Sequence, residues 1–90
     1  MKTFEDLEFK KQCLPFIGTK EHASLNFNNG YGVSVILGKS FYSNGVDTYE
    51  MAILKDGYIC YTTDITDDVL GYITKDEITK YMSQIQKLPE

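Results

Sequence analysis

The chain has 90 residues, 42% hydrophobic and 24% charged, enough for one soluble-type domain with a single modest core. Thirteen acids against nine bases give a formal net charge of −4, and every base is Lys. That balance argues against direct nucleic-acid binding, which needs clustered cations, and the absence of Arg removes the fork that reads guanine or phosphate bidentately.

Residues 1–9, MKTFEDLEF, carry acids where a secretory leader has an apolar run. No stretch approaches the ~20 apolar residues of a bilayer span, so no membrane role is expected. Cys13 and Cys60 are too few and too distant for a disulfide framework, which fits a reducing cytoplasm. Cys60 lies in an apolar run and reads as a buried thiol. Residues 4–18, FEDLEFKKQCLPFIG, bear Phe4, Leu7, Phe9, Leu14, Phe16 and Ile17, a segment able to fold over part of a sheet.

Strands are expected at 22–28, 32–42, 46–55 and 58–62. They are separated by NNGYG, SNG and DG, whose Asn-Gly and Asp-Gly pairs tolerate the positive φ of hairpin loops. Side-chain alternation tests this meander. Ala23, Leu25 and Phe27 share a face of the first strand and Val33, Val35 and Leu37 a face of the second; for these to lie on one side of the sheet, the loop joining them must hold an odd number of residues, three or five. An SNG loop pairs Val35 with Ile53 and Leu37 with Met51. An Asp56-Gly57 turn pairs Ile53 with Cys60 and Leu54 with Ile59. Leu25, Phe27, Val33, Val35, Leu37, Met51, Ile53 and Cys60 then form the core face.

Thr66 to Gly71 reads as one helical turn, with Thr66 as its cap and Gly71 as its close. Thr74-Lys75-Asp76-Glu77 is a capping box that opens a helix over 75–87, and Pro89 ends the segment. Ile78, Tyr81, Met82 and Ile85 make its apolar stripe. The fold class is therefore α+β: a four-stranded antiparallel meander, packed on one face by a carboxyl-terminal helix, with the amino-terminal segment partly covering the rest.

The opposite sheet face carries Ile36, Ala52, Leu54, Ile59 and Tyr61, and one helix cannot cover both sides. The register above makes Ala52 a neighbour of both Ile36 and Tyr61. The amino-terminal segment is expected to cover part of that patch, and the exposed remainder marks an interface, with another protein or with a second copy.

Chemistry finds little support. His22 is the only histidine, without a second one for a common zinc site, and reads as a surface or strand-edge residue. Asp64, Asp67 and Asp68 are the densest acids, but their spacing is not that of an EF-hand. NNGYGVSVILG lacks the Lys-Ser/Thr ending of a P-loop and precedes a strand rather than a helix. Ser40, Ser43 and Ser83 have no His-Asp company. No cofactor, metal or catalytic residue is expected, and the chain reads as a non-enzyme.

FNNGYGVSVILG (27–38) and YEMAILKDGYICYTTDITDDVLGYIT (49–74) resemble small uncharacterised proteins of tailed bacteriophages and prophages. The resemblance implies an accessory protein in the bacterial cytoplasm that binds a host factor stoichiometrically. Inhibitors of CRISPR nucleases are one such class, and some present carboxylates in place of phosphates. Asp64, Asp67, Asp68, Asp76 and Glu77 would be the mimic surface here, although helix-end electrostatics is the simpler account of them. The expected function is thus a protein-binding module that modulates or inhibits a bacterial host protein through Ile36, Leu54, Ile59 and Tyr61, joined by Asp64, Asp67 and Asp68. The alternative is an oligomeric protein that sequesters a small ligand or nucleotide between protomers, assembled through the second sheet face.

Overall fold

Strand pairing begins earlier in the chain than its turn signals suggest. The structure, a computed structural model, describes residues 1–16, 18–66 and 68–90. A 3-10 turn at Phe4–Asp6 precedes β1 (Lys10–Leu14), β2 (Gly18–Asn26), β3 (Tyr31–Leu37), β4 (Tyr49–Lys55), β5 (Tyr58–Ile59), β6 (Leu70–Ile73) and the helix α1 (Lys75–Gln86). All strand pairs are antiparallel. β1 to β5 run as a meander, and β6 joins β4 beside β5. The α+β class with a carboxyl-terminal helix on one face therefore holds, with two strands more than the turn signals mark.

The first and last expected hairpins form as parity requires. Phe27 N–H donates to Tyr31 O at 2.7 Å and closes a loop of residues 28–30, with Gly30 at φ 85°. That sets Ala23 opposite Val35 and Leu25 opposite Val33. Asp56 and Gly57 both take positive φ, the requirement of a type I′ turn, and Leu54 faces Ile59.

The middle hairpin differs. Residues 38–48 form an irregular loop in place of a tight SNG turn, and Val33 opposes Ile53 while Val35 opposes Met51. The shift is two residues, so every side chain keeps its face. Side chains replace a tight turn here. Ser43 Oγ accepts from the N–H groups of Gly38 and Gly45 and donates to Thr48 O at 2.7 Å. Asn44 Oδ1 accepts from the N–H groups of Val46, Asp47 and Thr48.

The segment expected to turn as a helix at 66–71 instead enters a strand at Leu70, and Asp67 lies outside the described residues. Thr66 Oγ1 accepts from Asp68 N–H at 3.2 Å, a side-chain turn with no helix to cap. Tyr49 then pairs with Ile73 and Met51 with Leu70. The two-residue β5 leaves that end of β4 unpaired, and β6 satisfies it.

The core follows the odd positions. Val33, Val35 and Met51 on the sheet and Ile78, Met82 and Ile85 on α1 are fully buried, each contributing roughly 1.5–3 kcal/mol of apolar burial. The capping box forms as expected: Thr74 Oγ1 accepts from Glu77 N–H, and Thr74 N–H donates to a Glu77 carboxylate oxygen at 3.0 Å. The amino-terminal segment covers its share of the sheet on the helix side. Leu7 joins the core, while Phe4, Phe9 and Tyr49 form a ring cluster with centroids 5.3–5.7 Å apart. Its next residues extend the sheet as β1, so they are not available to lie over the second face. Phe16 stands fully exposed in the β1–β2 turn, and Ile17 lies outside the described residues.

Asn29 ties the β2–β3 loop to the end of α1. Its amide donates to Ile85 O at 2.9 Å and Leu88 O at 3.0 Å, and its Oδ1 accepts from Tyr31 N–H. Asn29→Ala is expected to lower unfolding free energy by about 1–3 kcal/mol, because the carbonyls of Ile85 and Leu88 lose the amide that joins them to the β2–β3 loop. Urea denaturation checks this against Asn28→Ala at the exposed neighbouring position, where about 0.5 kcal/mol or less should be lost.

Candidate functional site

Even-numbered side chains on β2, β3 and β4 face away from α1. Ser24 sits opposite Ser34, Ser34 opposite Ala52, and Ile36 opposite Glu50. Leu54 lies between Gly32 on one side and Ile59 on the other. The apolar members therefore run obliquely across the ribbon from Ile36 past Ala52 to Leu54 and Ile59. Ala52 is buried by its neighbours, Ile36 and Leu54 are half-buried, and Ile59 is 51% exposed. Serines, His22 and Glu50 break the patch on its β2 side and at one end.

Two expected neighbours of Ala52 are displaced. Ile36 is not its cross-strand partner, because the two-residue shift between β3 and β4 puts Ser34 there. Tyr61 does not pair with it either. The last ladder bond runs from Cys60 N–H to Ile53 O at 2.8 Å, and β6 takes the next stretch of the β4 edge. Tyr61 leaves the ladder there, 49% exposed.

Of the acids proposed for partner contact, Asp64 and Asp68 are exposed in the segment joining β5 to β6, and Asp67 lies outside the described residues. Asp68 Oδ1 accepts from Val69 N–H at 2.7 Å, and Glu77 is engaged in the helix cap. Among the described residues, no three His, Cys, Asp or Glu side chains gather into a cation-binding group.

The structure brings together one pair that residue types alone did not. His22 Nε2 lies 2.8 Å from Ser34 Oγ, on adjacent strands of the open face. His22 is thus half-buried on an inner strand rather than at an edge. The signal was present: both positions are even, and the odd-length 28–30 loop makes them diagonal neighbours. Burial first, and the charge of Lys20 second, hold the imidazole below its ordinary pKa, so it is neutral at pH 7. A neutral imidazole on a hydroxyl is the base–nucleophile half of an acyl-transfer site. A complete site would also need a group orienting the second ring nitrogen and two free donors for an oxyanion, and β2 and β3 are both inner strands whose N–H groups serve the ladder. The pair's evident work is to satisfy two polar side chains on a half-buried surface. Beside it, Glu8, Lys10, Gln12, His22 and Ser24 line a hollow of about 220 Å³.

Cys60 is half-buried rather than buried. Its Sγ lies 3.4 Å from Thr62 Oγ1, and hydrogen bonding from Thr62 draws the thiol pKa below its ordinary value.

No protein-family model, curated protein or solved structure matches this chain. No helix among the described residues is long and apolar enough to cross a membrane.

The His22 shift has a defined pH consequence. The unfolded chain takes up a proton near the ordinary value of 6.5, whereas the folded state resists it. Stability contributed by the neutral ring is present above that value and is lost as pH falls through 6.5 toward the lower folded-state pKa. Urea unfolding at about pH 7.5 and about pH 5.5 should show the loss, and His22→Asn should make the curve flatter over that window.

Proposed function

We propose that this chain is a non-enzymatic protein-binding module of phage type that presses the open face of its sheet onto a bacterial host protein and modulates or blocks it. One observation carries this reading: the apolar diagonal Ile36–Ala52–Leu54–Ile59 lies on the side of the sheet away from α1, and the amino-terminal segment packs on the α1 side as well. A greasy centre with a polar rim of Ser24, Ser34, His22 and Glu50 is the anatomy of a protein interface. Exposed Tyr61, just past the end of β5, supplies the large, two-torsion contact area common at hot spots.

Charge narrows the partner. A net −4 chain with exposed Asp64 and Asp68 is steered toward a cationic surface. A defence nuclease, whose substrate channel must be basic, has that surface, and a protein seated across it would exclude nucleic acid without chemistry of its own. The bacterial cytoplasm is the setting that the phage resemblance implies.

Leu54→Asp combined with Ile59→Asp tests the docking face. The wild type should retain a discrete cationic protein from bacterial lysate. The double variant should lose it, with a drop in affinity of about thirtyfold or more, while keeping its circular dichroism. An unfolded double variant would show that this face is core. A wild-type protein that elutes as a dimer in light scattering, and captures nothing, would assign the face to a second copy of the chain.

A further inference from the structure

At the β6 end of the open face, two exposed tyrosines meet a carboxylate. Gly71 and Tyr72 together oppose Glu50, the residue between Tyr49 and Met51, both of which are buried in the core beneath α1. Glu50 therefore projects to the open face, opposite Ile36 on β3. Its Oε1 accepts from Tyr42 N–H at 3.4 Å, and Tyr72 N–H donates to Tyr42 O at 2.9 Å. These two bonds gather residues of β4, β6 and the 38–48 loop at one corner. The Tyr42 and Tyr72 ring centroids are 6.4 Å apart, with the planes inclined at 66°, and both residues are more than half exposed.

The corner is fixed from two sides. Tyr72 sits at φ 54°, where glycine would be free of strain, so a ring is held there against the preference of its backbone. A Cβ on Gly71 would stand 2.8 Å from Tyr42 Cβ, so the bare backbone at 71 is what lets Tyr42 pack so closely. Beside the rings lies an open hollow of about 350 Å³, whose lining includes Glu50 and Lys39. Among the described residues no lysine forms an ion pair with Glu50. The Lys39 stem instead lies against Gly45, where a Cβ would stand 2.7 Å from Lys39 Cγ.

We propose that this corner receives an arginine side chain of the partner protein. A planar guanidinium can stack on a tyrosine face and donate to a carboxylate at once, which a compact ammonium does less well. The net charge of −4 favours a cationic partner. The 90-residue chain contains no Arg, so a second copy of it cannot supply the group. The arginine belongs to the protein docked on the open face, and this inference rests on that reading for its partner; the affinity of the corner for guanidinium is measurable without one.

NMR titration with N-acetyl-arginine methylamide reads the corner. The backbone amide signals of Tyr42, Gly71 and Tyr72 should shift saturably, with a Kd of about 5–50 mM, as one stacked and charge-paired side chain allows. Tyr72→Gly suits the positive φ, so its fold should persist, and it should weaken binding about threefold or more. Glu50→Gln should weaken it by a similar factor, and Lys39→Gln should tighten it by removing a like charge. Tyr58→Ala, at another exposed ring, should change nothing. Shifts that do not saturate, or binding that survives Tyr72→Gly unchanged, would overturn the proposal. Equal affinity for N-acetyl-lysine methylamide would overturn the assignment to arginine. A chain that captures nothing from lysate yet binds the arginine probe keeps the corner and loses the docking reading. Lysate capture without saturable probe binding does the reverse.

Discussion

Side-chain parity governs this fold. Each hairpin preserves it: the 28–30 loop, the long 38–48 loop and the Asp56-Gly57 turn all leave apolar residues of neighbouring strands on one side. A slip of one residue at any of them would turn a strand's core set outward. The middle connection shows how strict this is. It lengthened and moved the register by two residues, yet Val33, Val35, Met51 and Ile53 still meet under α1. With that face set, Asn29 fastens the far end of the helix to the loop whose length fixes the β2–β3 register.

How far the sequence was legible followed the range of the interactions. The helix, its Thr74–Glu77 box and the two short hairpins are local, and their residues announced them. The middle register was not local. SNG looked like a turn, but Ser43 and Asn44 act as side-chain acceptors that organise residues 38–48 as a whole. β1 and β6 were hidden for a different reason. Lys10, Lys11, Gln12 and Cys13 are all exposed, so the strand carries no apolar alternation, and its identity comes from the unpaired edge of β2. The lysines there also discourage a further strand from adding to that edge. β6 likewise forms because the short β5 leaves part of β4 unsatisfied.

The open face was legible in outline. Ile36, Leu54 and Ile59 could be placed on the second face by alternation alone, and they are there. Tyr61 could not, because its position depended on where the ladder ends. His22 with Ser34 was missed because residue types were weighed singly, not because the register was inaccessible. β6 adds a feature no pattern marks. Gly71 and Tyr72 together oppose Glu50, a bulge that leaves Tyr72 in the left-handed region at φ 54°. Such a conformation costs a bulky residue about 1–3 kcal/mol. It is held by Tyr72 N–H donating to Tyr42 O at 2.9 Å, with the two rings 6.4 Å apart and both exposed.

Dimensions explain why a face is left open. Strands lie about 4.8 Å apart, so five abreast span roughly 20 Å, while a helix with its side chains is about 10–12 Å across. One helix therefore covers about half the width, and the Phe4–Phe9–Tyr49 cluster with Leu7 completes that side. Among the described residues no further element lies over the other. That second face must then be tolerable in water, and the alternation there of Ser24, Ser34, His22 and Glu50 with Ile36, Ala52 and Leu54 achieves that. The same mixture sets the character of any contact made on it: apolar enough at the centre to exclude water, polar enough around it to be hydrated when unoccupied.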